Sequence, residues 1–386
     1  MWIPYSKLNV IEKIGEGAFA TVYVAVWMKL FSENTQALPV ALKVFNRSEN
    51  GREELSKELN VNILIFLHLN TYYNIGNKTP TFLQCYGISR NKSTNQHILV
   101  LQYARLGSLR KNLSTIAGMS WEKKLGLLGY IASELQLIHS HNIIHCDLHS
   151  GNIFQNDLYN ACIGDLGLSR LANDDLKSRA YGNLPYMAPE LLSGGSYTRA
   201  SDVYSFGIIM WEITSGRIVS SEYERYKYNE SRLALGIWNG LRPKVIKGIP
   251  LCYQNLLERC WNSDPLKRPS AIEIYETINS WKNDVNVLSE FLKSDNAIEI
   301  KDYISNNNID NSEIYCSKFT DYIDEQLTTD KQQSNECIIS DSIEQLFIDK
   351  QQNNEHTNSD NFFIINEHSI TDRRNLIFIN FLKKIF

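Results

Sequence analysis

Between residues 8 and 27 apolar side chains alternate with polar ones and are interrupted by glycine. Val10, Ile11 and Ile14 run into Gly15-Glu16-Gly17-Ala18-Phe19-Ala20, and Thr21-Val22-Tyr23-Val24-Ala25 follows. That pattern predicts a strand, a tight turn and a second strand. A third β-like run, Val40-Ala41-Leu42-Lys43, comes next. Over residues 52–69 the period changes, with Leu55, Leu59, Ile63 and Phe66 spaced for one face of a helix. Residues 82–88 and 97–104 read as strands again, joined by the polar turn 91–95, so a second hairpin completes a five-stranded sheet.

From Leu109 onward the texture is helical. Residues 121–140 carry Leu125, Leu128, Ile131, Ala132, Leu135 and Ile138 in a helical stripe, and residues 201–212 form a long apolar run. The expected architecture is therefore α+β: a small antiparallel sheet lobe, then a larger helical lobe, with the active site in the cleft between them.

The chemistry concentrates in His145-Cys146-Asp147-Leu148-His149-Ser150-Gly151-Asn152 and in Asp165-Leu166-Gly167. A carboxylate, an amide on the same short loop and a second carboxylate after a strand-like hairpin form the spacing that sets a base beside two metal ligands. Lys43 adds a cation on an apolar strand, where an ammonium without a partner would be costly to desolvate. Its expected partner is Glu58 on the 52–69 helix, with Glu54 one turn earlier as the alternative.

These strings resemble the signatures of the eukaryotic protein kinase superfamily. His145 to Asn152 is similar to H-R-D-L-x-x-x-N, Asp165-Leu166-Gly167 to D-F-G, Val40 to Lys43 to V-A-I-K, and Ala188-Pro189-Glu190 follows in the right order. The resemblance extends to about residue 281 and is greatest to the tyrosine-kinase-like group. It implies a two-lobed kinase fold using ATP and Mg2+. Ile14, Gly15, Gly17, Phe19, Val22 and Ala41 would then line the nucleotide site, Leu101 its back, and Gln102 to Ala104 the hinge that pairs with adenine. Lys43, held by Glu58, would bind the α- and β-phosphates, Asn152 and Asp165 the metal, and Asp147 would accept or orient the substrate hydroxyl proton. By the same resemblance Asp202 braces the catalytic loop, and Arg268 pairs with Glu190.

The departures from the family pattern matter as well. Ala20 stands where a third glycine is usual, and Asn62 where many kinases have an apolar residue. Cys146 replaces the arginine that meets a phosphorylated activation segment, so weak dependence on phosphorylation at Ser178 or Tyr181 is expected. His149 and Asn183 replace the lysine and threonine of Ser/Thr kinases, and a protonated His149 is expected to stand in for the lysine near the transferred phosphoryl group. Gly151 lies where tyrosine kinases carry an arginine, which tips the reading toward Ser/Thr protein substrates. A tyrosine or dual-specificity kinase, and a catalytically silent scaffold of the same fold, are the alternatives.

Composition adds bounds. The 386 residues are 43% hydrophobic, and 39 Lys+Arg against 43 Asp+Glu leave a formal charge of −4, which does not suggest a nucleic-acid or membrane-surface binder. Seven cysteines without a C-x-x-C pair favour free thiols in a reducing compartment. The clustered His139, His141, His145, Cys146 and His149 lack the paired spacing of a zinc site. Neither a signal peptide nor a membrane span of roughly 18 apolar residues is visible, so a cytoplasmic protein is expected. A kinase domain over 8–282 would precede a largely disordered Asn-, Asp-, Ser- and Gln-rich tail over 283–386, whose apolar end, 375–386, could dock on a partner, a membrane surface or the domain itself.

Overall fold

The structure is a computed structural model. The chain divides into two units, residues 1–333 and 334–386. The structure describes residues 1–16, 20–31, 34–45, 83–172, 181–226, 229–295 and 318–319, all in the first unit. Gly17, Phe19, the expected 52–69 helix with Glu54, Glu58 and Asn62, Ser178 and the 375–386 segment lie outside the described residues, as does the side chain of Tyr181.

The strands are β1 (Leu8–Glu16), β2 (Ala20–Phe31), β3 (Asn34–Phe45), β4 (Cys85–Arg90) and β5 (His97–Gln102), forming one antiparallel sheet in the order β1-β2-β3-β5-β4. Irregular register between Val10 and Glu12, and again between Lys13 and Gly15, marks β1. Such bulges increase local twist. Because side chains alternate across a strand, Val40 and Leu42 enter a core with Ile3, Leu8, Ala25, Trp27, Ile98 and Val100. Ala41 and Lys43, at the odd positions between them, face the other way. Residues before Leu8 belong to this lobe too, since Ile3 is 1% exposed and its amide donates to Ile88 O at 2.8 Å.

After the short strand β6 (Gly107–Ser108) come α1 (Leu109–Ala117) and α2 (Trp121–Ser140). The stripe expected on α2 is its buried face: Leu125, Leu128, Ile131, Ala132, Leu135 and Ile138 are each 0% exposed. Four two- or three-residue strands frame the catalytic segments: β7 (Ile143–Ile144), β8 (Ile153–Gln155), β9 (Cys162–Ile163) and β10 (Arg170–Leu171). Then β11 (Tyr181–Gly182) leads to α3 (Arg199–Ser215), which a Thr198/Ser201 capping box starts. Gly216 ends α3 with φ 72°, and a Cβ there would lie 2.8 Å from that of Ala117, so both conformation and packing call for glycine.

The helices α4 (Leu251–Cys260), α5 (Ala271–Asn283) and α6 (Val285–Asp295) complete the lobe. The composition change after Lys282, taken as the edge of the folded region, does not end it. Asp284 Oδ1 accepts from the amides of Asn286 and Val287 at 2.8 and 3.2 Å, starting α6. Phe291, 0% exposed, then packs on Trp121 and Trp281 at ring-centroid distances of 5.2 and 5.5 Å. Val287, Leu288 and Phe291 form a helical stripe that the surrounding polar residues obscure in the sequence. A last described strand, β12 (Lys318–Phe319), pairs with β11. No helix among the described residues is long and apolar enough to cross a membrane.

Candidate active site

The loop between β7 and β8 is fastened from α3. Asp202, 2% exposed, accepts at Oδ2 from the His145 amide (2.8 Å) and from His139 Nε2 (2.9 Å), and at Oδ1 from the Cys146 amide (3.0 Å). This is the bracing expected of it. Cys146 takes φ 68°, an unfavourable value for a side chain with a Cβ, and the Asp202 contact holds its amide in place. Burial, with Asp202 adding to it, pushes the Cys146 thiol well above its ordinary pKa. His145 crosses to the neighbouring segment. The Asp147 amide donates to its Nδ1 at 3.3 Å, so Nε2 carries the ring proton and donates to Gly164 O at 3.0 Å.

This bracing presents Asp147 beside Asn152, whose Nδ2 donates to the Asp147 carbonyl at 2.9 Å and lies 3.4 Å from Asp147 Oδ2. With its NH2 group so engaged, Asn152 keeps its amide oxygen for a cation. Across the cleft Lys43 Nζ donates to Asp165 Oδ1 at 2.5 Å. Asp165 holds φ 58° and ψ 60°, a second left-handed residue without glycine's freedom, which aims its carboxylate at β3. A carboxylate oxygen and an amide oxygen are the hard donors that Mg2+ takes, so the residues present fit that ion.

The sheet contributes a ladder. Gly15 stands opposite Val22, Val22 opposite Lys43, and Lys43 opposite Leu99, while Ala41 pairs with Leu101. Gly15, Val22, Ala41, Lys43 and Leu101 therefore share the sheet face turned away from the apolar cluster. Gln102 continues β5, its amide donating to Gln84 O at 2.8 Å, and the Ala104 carbonyl accepts from Gly107 at 3.0 Å. Ile14 is 38% exposed on β1.

His149 has a more specific setting than its motif position suggested. Its Nδ1 accepts the Gly151 amide at 3.0 Å, and Nε2 lies 3.7 Å from Asp147 Oδ2. Arg110 of α1, which sequence reasoning missed, brings Nη2 to 3.5 Å from the same Nδ1. A Cβ at Gly151 would lie 2.8 Å from the His149 ring and 3.3 Å from Arg110 Cζ, so these two side chains fill the space a larger residue would need. Behind them Tyr186 donates to Glu212 Oε1 at 2.5 Å, and the Val219 amide donates to the same oxygen at 2.9 Å. Burial raises the Glu212 pKa, whereas Arg110, although burial opposes its charge, is held above its ordinary value by Tyr186 and Glu212. Asn183, 3% exposed, opens the Leu184–Tyr186 turn through its carbonyl, which accepts from Tyr186 at 2.9 Å.

Two further anchors stabilise the surroundings. Arg268 meets Glu190 through two parallel bonds of 2.7 Å and also donates to Ala200 O (2.9 Å) and Asn262 O (2.8 Å), the bidentate pair expected from the sequence. Glu134 of α2, 3% exposed, accepts from the Ile163 amide at 2.5 Å, two residues before Asp165. Burial pushes its carboxyl up to about 8, the Ile163 bond opposing part of that rise.

Comparison with known proteins agrees with this geometry. A family model described as protein tyrosine and serine/threonine kinase matches residues 8–278. A probable serine/threonine-protein kinase of Dictyostelium discoideum is 30% identical over 72% of this chain and 28% of its own length. Cyclic GMP-binding protein C of the same organism is 30% identical over 72% of this chain and 11% of its own. A putative serine/threonine-protein kinase/receptor of Acanthamoeba polyphaga mimivirus is 28% identical over 72% of the chain and 16% of its own length. The chain thus spans between 11% and 28% of the length of these relatives.

Proposed function

The chain belongs to the protein tyrosine and serine/threonine kinase family, and on that premise we propose that it is an active kinase transferring the γ-phosphoryl group of ATP to serine and threonine hydroxyls of protein substrates. The observation that carries the reading is the convergence of Lys43 and Asp165, 2.5 Å apart, from opposite sides of the cleft that also holds Asp147 and Asn152. In this reading Lys43, supported by Glu58, binds the α- and β-phosphates. Ile14, Gly15, Gly17, Phe19, Val22, Ala41, Leu101, Gln102 and Ala104 surround the nucleotide. Asn152 and Asp165 hold Mg2+. ATP with Mg2+, when bound, supplies the transferable phosphoryl group and neutralises its charge. Asp147 orients the acceptor hydroxyl and takes its proton on a carboxylate oxygen. His149 keeps Asp147 in place from its Nε2 side, and Arg110 keeps His149 in place.

Serine and threonine are preferred over tyrosine because Gly151 leaves no arginine on the loop, and because relatives in the same family are named serine/threonine kinases. The motifs from Val40 to Cys260-Trp261-Asn262-Ser263-Asp264-Pro265-Leu266-Lys267-Arg268-Pro269 support placement in the tyrosine-kinase-like group and a role in signalling, within a kinase domain read over 8–282 that α6 extends to Asp295. Free Cys85, Cys146, Cys252 and Cys260 fit a reducing, cytoplasmic setting.

The test is transfer of labelled phosphate from ATP and Mg2+ to a protein substrate by the unaltered chain and by Asp147→Asn. The amide should reduce the rate by about 10²–10⁴, the span that loss of a general base covers. Equal rates would remove Asp147 from the chemistry, and no transfer by either chain would remove the enzyme.

A further inference from the structure

The strand β11 lies in the segment that closes over the catalytic loop, and it does not stand alone. It pairs antiparallel with β12, Tyr181 opposite Phe319 and Gly182 opposite Lys318. Gly182 is the point of contact with the chemistry. A Cβ built there would lie 3.7 Å from Asp147 Oδ1, and its φ of 157° is one that side chains with a Cβ rarely adopt. Paired strands lie about 4.8 Å apart in the direction of their hydrogen bonds. The chain segment paired to Gly182 therefore passes one strand spacing from the residue that adjoins the Asp147 carboxylate.

Any polypeptide whose hydroxyl is to reach Asp147 must bring its backbone past the same place. Strand addition supplies that approach through main-chain hydrogen bonds, which do not depend on the identity of the added side chains. We propose that the chain's own Lys318–Phe319 is a resident competitor on the Tyr181–Gly182 edge, so that a protein substrate enters by displacing it. This deepens the kinase reading, on which it rests for what the displaced strand makes room for. The register covers only two residue pairs. So short a ladder is weak in isolation and is held by its tether, which supplies an effective concentration on the order of millimolar. The resident is therefore displaceable by a peptide with additional contacts.

The experiment uses the full chain and the double variant Lys318→Pro/Phe319→Pro. Proline removes the amide donors and is tolerated poorly in a ladder, and neither residue has a place in the catalytic machinery. A fluorescent peptide of sequence 312–325, with Cys316→Ser, is titrated into each chain without nucleotide, and the anisotropy is read. The double variant should bind the peptide about three to ten times more tightly, the factor that vacating a tethered competitor provides. The same peptide bearing both prolines should not bind. In phosphoryl-transfer assays the double variant should lower KM for a protein substrate by a similar factor at unchanged kcat. Equal peptide affinities for the two chains, or no binding to either, would overturn the edge. Binding without turnover would keep the edge and remove the enzyme, whereas turnover with equal affinities and equal KM would keep the enzyme and remove the edge.

Discussion

Lys43 with Asp165 and Arg268 with Glu190 are ion pairs of similar length, 2.5 and 2.7 Å, in very different settings. The Arg268 side chain is 0% exposed and also meets two backbone carbonyls, Ala200 and Asn262, so its donors are committed within the helical lobe. Asp165, by contrast, is 39% exposed in its side chain, and its left-handed backbone turns it toward the cleft. The Arg268–Glu190 pair is architecture. The Lys43–Asp165 pair is a contact that can be exchanged, in which a carboxylate now facing a lysine can also face a cation. A buried ion pair resists removal of one partner because the other charge stays desolvated, while a pair at a cleft mouth contributes little to stability and much to the ligand.

The comparison can be broken most easily at its functional end. Lys43→Met should lower the rate of phosphoryl transfer by about 10³, the scale of losing a main electrostatic stabiliser, and leave the melting temperature nearly unchanged. A large thermal destabilisation would mean that the cleft pair is structural after all. Arg268→Met tests the other end. It leaves the Glu190 carboxylate without its guanidinium and should cost about 3–5 kcal/mol in chemical denaturation, with the denaturation midpoint falling accordingly. An unchanged midpoint would erase the distinction between the pairs.

A finer test uses Glu134, a buried carboxyl of the helical lobe that is held protonated. Its folded-state pKa of about 8 lies above its ordinary value of 4.5, so the native chain keeps a proton that the unfolded chain releases. The stability from this group is fully present below pH 4.5 and is lost as pH rises through about 8. Glu134→Gln keeps an oxygen to accept the Ile163 amide and removes the titration. The decline in melting temperature between about pH 5 and about pH 8 should shrink by several degrees, about three pH units at ~1.4 kcal/mol each setting a ceiling of ~4 kcal/mol. Parallel profiles would show that Glu134 does not titrate in that window.

What the sequence disclosed and what it hid divide along the same physical line. The 145–152 loop, Asp165, Lys43 and the α2 stripe were readable because each is a contiguous string or a local period, and spacing along the chain determines placement. Asp202 and the Arg268–Glu190 pair were readable only through resemblance, since the partners are far apart in sequence. Arg110 was not readable at all. It sits on α1 among Leu109 and Leu113, and only the tertiary approach of that helix to Gly151 and His149 brings the guanidinium to the loop. His149 carries the same lesson, because its motif position suggested a charge near phosphate and gave no sign of the Gly151 amide on its Nδ1 or of the Arg110 guanidinium beside it. The pairing of β12 with β11 joins strands distant in sequence and gave no periodic sign, as two residues are too few for one.

The aromatic cluster closed by α6 has a practical consequence for where the molecule can be cut. The family match stops at residue 278, yet Trp281 and Phe291 lie beyond it and pack against each other, with Phe291 also on Trp121 and Trp281 on Tyr253. The Trp121 amide is further held by Asp295 Oδ1 at 2.8 Å, at the very end of α6. A fragment ended at the match would lose both outer rings and wet the faces of Trp121 and Tyr253, creating a greasy surface of the kind that makes proteins stick to one another. The smallest well-behaved piece of this chain should therefore run through Asp295, past the end of the family match at residue 278.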